Sequence, residues 1–196
     1  MAKEYRETYY GLYHGTIKSF AESIKATGFQ PSKNSECWCG SGVYFYDCKS
    51  KALWSAQRTC NEQKKKGIDD KICCIIADII DLPKKNILDL RTSSGLKSFH
   101  DFVYENYKKQ LYETQLDIEE LDDKSKILST IRSSCISLYC KQRDISLVIG
   151  TFKQEHDRID LKYIEFANNV SLVLGAETIY CAKNIDILKN IKILGE

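Results

Sequence analysis

The residues best suited to chemistry lie in Leu12-Tyr13-His14-Gly15-Thr16, in Cys39-Gly40-Ser41-Gly42-Val43-Tyr44-Phe45-Tyr46-Asp47 and in Ala52-Leu53-Trp54. A histidine at a strand end, followed at once by glycine, offers an imidazole beside backbone that a ligand can approach closely. Tyr44 and Trp54 add flat aromatic faces. An aromatic pair contributes about 0.5–1.5 kcal/mol beyond its burial, which suits capture of a ring better than bond cleavage. The combination points to a planar base and its attached sugar, hence a nucleotide rather than a metal or a peptide. Taken singly, His14 reads as a structural histidine and Tyr44 and Trp54 as core aromatics; their order and spacing give them joint meaning.

The elements that must hold these residues are legible from periodicity. Tyr9 to His14 reads as a strand. Thr16 is a plausible N-cap for a helix with Ile17, Phe20, Ala21 and Ile24 on one face, closed by Gly28 with Phe29 as its apolar stop. Pro31 to Ser41 is rich in turn formers and reads as a loop over the pocket, Gly42 to Tyr46 as a short strand, and Lys49 to Gln63 as a helix burying Ala52, Leu53 and Ala56. Ile72 to Ile80 predicts a central strand broken at Leu82-Pro83, with a second short strand or turn at Asn86 to Leu90. Two amphipathic helices follow. One carries Leu96, Phe99, Val103, Tyr107 and Leu111, the other Ile127, Leu128, Ile131, Cys135, Leu138 and Tyr139, with an acidic joint at Asp117 to Asp123 between them. Strands are expected again at Ile145 to Ile149, Tyr163 to Phe166, Val170 to Leu174 and Thr178 to Ala182. Strands at both ends around a helical block predict an α+β domain spanning 1–196, with the helical insertion at about 94–142 packed on the side of a split sheet.

Composition bounds the function. The 196 residues are 43% hydrophobic and 29% charged, enough for one domain with a sizeable core. The longest apolar runs fall far short of the roughly 20 residues of a membrane helix, so no membrane association is expected. Met1 to Glu7 mixes acids and bases without an apolar stretch, which predicts a cytoplasmic protein rather than a secreted one. Nine cysteines in such a protein read as thiols, several of them core. Cys37, Cys39, Cys48 and Cys60 lack the paired spacing of zinc ribbons and fingers, and no metal is expected. A net charge of +2 neither requires nor excludes nucleic acid; Lys64-Lys65-Lys66 and Lys84-Lys85 read as exposed loops that would also serve as a basic rim.

The His-Gly-Thr segment, the Gly-Val-Tyr-Phe segment and the Ala-x-Trp just beyond it resemble the nicotinamide pocket of the diphtheria-toxin-like and PARP-like ADP-ribosyltransferases, whose His-Tyr-Glu triad lies on three strands. The resemblance is carried by Leu12 to Ala56 and by about Val170 to Leu194. It implies a split antiparallel β-sheet and NAD as co-substrate. It further implies that His14 binds a ribose hydroxyl, that Gly15 clasps the nicotinamide carboxamide through its backbone, that Thr16 and Gly42 flank the cofactor, and that Tyr44 stacks on the ring. Trp54 lies near a second stacking position, although the intervening segment is one residue shorter here. Gly175-Ala176-Glu177-Thr178-Ile179-Tyr180-Cys181 is similar to the family's glutamate strand, which gives Glu177 the catalytic role at the ribose 2′-hydroxyl; Glu165 is the rival. His100 and His156 lie outside the motif.

The expected activity is therefore mono-ADP-ribosyl transfer: a transferase that cleaves the nicotinamide–ribose bond and passes ADP-ribose to a protein or nucleic-acid acceptor. The small size resembles stand-alone toxins and phage-defence effectors. One alternative is a non-catalytic NAD or ADP-ribose-binding module acting through a partner such as an antitoxin or regulatory protein. A tRNA 2′-phosphotransferase-like enzyme fits less well, because Gln30 to Tyr46 contains neither His nor Arg.

Overall fold

The aromatic run at Tyr9 to His14 lies inside a longer strand, β1 (Arg6–Ile17), whose alternation sends Leu12 to one face and Tyr13 to the other. The computed structural model describes residues 4–32, 37–118, 124–153 and 176–194. Helix α1 is Lys18–Thr27, β2 is Val43–Tyr46, α2 is Lys49–Lys65, β3 is Ile72–Pro83 and β4 is Ile87–Asp89. After these come α3 (Ser93–Ile118), α4 (Lys124–Arg143), β5 (Leu147–Lys153), β6 (Ala176–Ala182) and β7 (Leu188–Leu194). The strands expected at Tyr163–Phe166 and Val170–Leu174 lie outside the described residues, as does most of the acidic joint.

These elements form an α+β fold around a seven-stranded sheet of order β4-β5-β6-β2-β1-β3-β7. The sheet is mixed rather than wholly antiparallel, because β4 and β5 run parallel. The long α3–α4 excursion between them makes this direction possible, since parallel neighbours need a crossover connection. β3 is an interior strand as expected, paired with β1 on one side and with the edge strand β7 on the other. Pairing within each half of the sheet is extensive, with β1 matched to β3 from Arg6↔Pro83 to Ile17↔Ile72 and β2 matched to β6 over its whole length. The two halves meet through one register pair, Tyr13↔Tyr46.

Each face has its own cover. On one side Leu12, Val43, Phe45, Ile75, Ile79, Leu147 and Ile149 form the main core with Ala21 of α1 and Phe29. On the other, α2 lies over Tyr46, Cys74 and Ile179 through Ala52, while α3 and α4 cover Leu88, Val148 and Cys181 with Phe102, Ile136, Tyr139 and Cys140. The helical stripes are met in part: Phe99, Val103 and Tyr139 pack on the core as expected, joined by Phe102 and Ile136, while Leu96 and Leu138 are exposed. Thr16 is not an N-cap. It is a buried strand residue, and Ile17 occupies the cap position with no side-chain cap bond. Gly28 does end α1, its N–H donating to the Ile24 carbonyl at 2.8 Å.

Candidate active site

The neighbour order β6-β2-β1 brings Glu177, Tyr44 and His14 onto three adjacent strands although they come from distant parts of the chain. His14 lies where β1 and β2 part, one residue beyond the pair Tyr13↔Tyr46. Its Nδ1 stands 2.8 Å from the Tyr44 carbonyl oxygen, so the imidazole replaces a ladder bond at the junction of the two half-sheets. Phe29 and Phe45 hold the ring by edge and tilted contacts at 5.2 and 5.7 Å. Burial lowers the His14 pKa below its ordinary value of 6.5, with the Tyr44 carbonyl opposing the shift. A carbonyl only accepts, so Nδ1 carries the proton and Nε2 of the neutral ring is left as an acceptor. Among the described residues Nε2 makes no hydrogen bond.

The three side chains do not share one face. His14 contacts Phe45, whereas the adjacent Tyr44 projects to the α2 side, where it packs beside Cys181 and against the cluster of Tyr46, Ala52 and Ile179. Its hydroxyl donates to the Gly40 carbonyl and accepts from the Cys39 N–H at 3.1 Å, which ties the tyrosine to residues 37–41. Burial drives the Tyr44 pKa far above its usual range, so this phenol stays protonated. Residues 37–41 are also held by Arg132 of α4, whose Nε donates to the Trp38 carbonyl at 3.1 Å, and by Lys183, whose Nζ donates to the carbonyls of Cys39 and Ser41.

Glu177 belongs to β6 itself and is only 5% exposed, which contrasts with the solvated edge charge its sequence position alone would give. It lies on the α2 side, with its carboxylate 3.6 Å from Lys51 Nζ. The hydroxyl of Tyr46 lies close to Glu177 and bonds to Ser55, and burial raises its pKa. Lys51, Trp54, Ser55 and Arg58 recur at i, i+3, i+4 and i+7, so they form one stripe of α2. The Arg58 guanidinium stands 5.3 Å over the Trp54 ring. Trp38, not Trp54, is the tryptophan that packs with Tyr44 against the buried cluster beneath α2.

Gly15 has a packing reason independent of any ligand. A Cβ there would stand 1.6 Å from the Ala52 carbonyl oxygen, so glycine is what lets α2 lie directly on β1. Gly42 is similar: a Cβ would fall 2.5 Å from Cys181 Sγ and 2.8 Å from the Ala182 carbonyl. Thr16 is buried in β1 one residue further. Glu165 and His156 lie outside the described residues, and His100 is exposed on α3, stacked on Tyr104. Lys51, Tyr46, Arg58, Phe29 and Trp38 were not singled out in the sequence as site residues. Only the Lys51–Trp54 spacing on a helix carried a signal for any of them.

A groove of about 440 Å³ bordered by Ser41, Ser137, Cys140 and Lys183 lies at the opposite end of the β2–β6 pair and includes none of His14, Tyr44 or Glu177. Among the described residues no group of His, Cys, Asp and Glu forms a metal site, and no helix is long and apolar enough to cross a membrane. Comparisons of the chain with protein-family profiles, curated proteins and solved structures return no match.

Proposed function

We propose that the chain is an NAD-dependent mono-ADP-ribosyltransferase whose working residues are His14, Tyr44 and Glu177. The observation that carries this reading is the convergence of three separate sequence motifs on β1, β2 and β6, with His14 bonded to the Tyr44 backbone where the sheet divides. Cleavage of a nicotinamide–ribose bond builds positive charge on the sugar, as in other glycosidic cleavages. A buried carboxylate near that sugar stabilises the charge more strongly than one in water, and Glu177 is such a group. On this reading Glu177 and the Tyr44 ring, both on the α2 side of the sheet, face the ribose and the leaving base, and His14, on the opposite face at the β1–β2 junction, acts by fixing the Tyr44 backbone. Lys51 compensates the buried Glu177 carboxylate before substrate arrives.

One observation favours a second reading, that of an NAD- or ADP-ribose-binding module without turnover: the Glu177 carboxylate already has a cationic partner in Lys51. Labelled NAD incubated with the purified protein and with protein and nucleic-acid fractions of a cell lysate separates the two. Transfer of label to one fraction with release of nicotinamide supports the transferase and identifies its acceptor class. Saturable NAD binding with neither release nor labelling supports the binding module.

A further inference from the structure

The consecutive backbone carbonyls of Trp38, Cys39, Gly40 and Ser41 each accept a hydrogen bond from a side chain. Arg132 Nε of α4 donates to Trp38 at 3.1 Å, Lys183 Nζ donates to both Cys39 and Ser41, the latter at 2.7 Å, and the Tyr44 hydroxyl donates to Gly40. The lysine therefore brackets the one carbonyl that the tyrosine uses. The same hydroxyl accepts from the Cys39 N–H at 3.1 Å, so the phenol both donates to and accepts from the segment that Lys183 holds. Gly40, at φ 75°, lies so close to α4 that a Cβ would stand 2.3 Å from Ser137 Oγ and 2.9 Å from the Ser133 carbonyl oxygen; α4 backs the segment and the lysine pins it. Lys183 is itself fixed at its base. It follows β6 directly, its N–H donates to the Ser146 carbonyl at 2.8 Å, and β6 runs beside β2 with Cys181 opposite Tyr44.

We propose that Lys183 is a positioning residue for Tyr44: by holding the carbonyls of Cys39 and Ser41 it sets the Gly40 carbonyl between them within reach of the Tyr44 hydroxyl, and so fixes the direction of the ring. This rests on the reading above, in which the Tyr44 ring faces the leaving base. An ammonium suits the task, because it has three N–H donors and its charge strengthens each bond to a carbonyl. A tyrosine side chain turns about two torsions, and a bond at its hydroxyl end holds both. A ring ordered in advance loses little freedom when a base packs against it. Without the lysine, the Cys39 and Ser41 carbonyls lose their charged donor and residues 37–41 shift toward other partners, carrying the Gly40 acceptor away from Tyr44. The ring is then ordered only as the base binds, which weakens binding and leaves the bond-breaking step unchanged. Lys183 acts through Tyr44 and not on the reacting atoms.

Two measurements on the full chain test this, with the fold of each variant verified by circular dichroism. The first needs no NAD. The chain has two tryptophans, so in Trp54→Phe the emission reports Trp38 alone. Adding Lys183→Met should shift that emission to the red and open it to acrylamide quenching, and Lys183→Arg should restore both; Lys183→Gln, which keeps an N–H donor without the charge, replaces Lys183→Met if that variant does not fold. The second is nicotinamide-release kinetics. Lys183→Met should raise KM for NAD about tenfold, equivalent to about 1.4 kcal/mol of binding, with kcat little changed, and in a Tyr44→Phe background, where the hydroxyl is already gone, it should raise KM no further. Unchanged Trp38 emission and quenching in Lys183→Met would overturn the hold on residues 37–41. A tenfold rise that persists in Tyr44→Phe would overturn action through Tyr44. Wild-type protein that binds no labelled NAD would instead bring down the transferase reading and the positioning role with it, while the Trp38 signal still shows whether Lys183 holds the segment.

Discussion

His14 Nδ1 and the Tyr44 carbonyl oxygen, 2.8 Å apart, join two half-sheets whose strands register at Tyr13↔Tyr46. One hydrogen bond thus links the sheet junction to the tautomer of the only histidine in the three motifs. His14→Ala is expected to cost about 1–3 kcal/mol, the range for a buried carbonyl left unsatisfied, and to abolish nicotinamide release. Urea unfolding monitored by circular dichroism, beside the release assay, measures both. Full stability in this variant would mean that the bond contributes nothing to holding the halves together.

The pH dependence follows from the lowered His14 pKa. The unfolded chain protonates this ring near pH 6.5, the folded chain only at lower pH, so between those values the unfolded state binds more protons. Stability from this group is therefore complete above about pH 6.5 and falls as the pH drops below it. Nicotinamide release should likewise show no His14-dependent loss until the pH falls below 6.5. An NMR titration of the His14 ring checks the direction of the shift; a midpoint above 6.5 would contradict it.

Gly15→Ala tests the contact between α2 and β1. The added methyl would collide with the Ala52 backbone, and backbone cannot rotate away as a side chain can. A destabilisation of about 3 kcal/mol is expected, at the upper end for overpacking. Denaturant midpoints compare it with wild type. A variant as stable as wild type would show that α2 does not lie this close to the strand.

Lys51 and Glu177 are expected to be coupled. Lys51→Met leaves a nearly buried carboxylate without its cation and should cost about 1–3 kcal/mol, less than a wholly buried pair because Lys51 is partly exposed. Adding Glu177→Gln to Lys51→Met should recover most of that loss. A double-mutant cycle with purely additive effects would sink the pairing.

The three motif strands and α2 were legible because short local patterns specify them: alternating aromatics for β1 and β2, and small residues at helical spacing for Ala52 and Ala56. Glu177 was legible as a candidate but its burial was not, since that depends on neighbours far upstream in the chain, Lys51 of α2 among them. The parallel pairing of β4 with β5 also escaped sequence reasoning, because nothing local in Ile87–Asp89 records the direction of a strand reached through two helices. In α3 and α4 the sequence pattern placed Phe99, Val103 and Tyr139 on the core face but not the limits of that face: both helices carry apolar residues on more than one side, and only contact with the sheet adds Phe102 and Ile136 and leaves out Leu96 and Leu138. Trp38 has no periodic pattern around it, so its place beside Tyr44 became visible only with residues 37–41 folded against α4 and Lys183.

The central claim, NAD turnover that depends on the Glu177 carboxylate of β6, is tested most directly by comparing NAD binding and nicotinamide release in wild type and Glu177→Gln, with the fold of each verified by circular dichroism. Wild type should bind NAD and release nicotinamide, and Glu177→Gln should keep binding while release falls about a hundredfold or more, the loss typical of removing one electrostatic catalytic group. Undiminished release by folded Glu177→Gln, or no NAD binding by wild type, would contradict it.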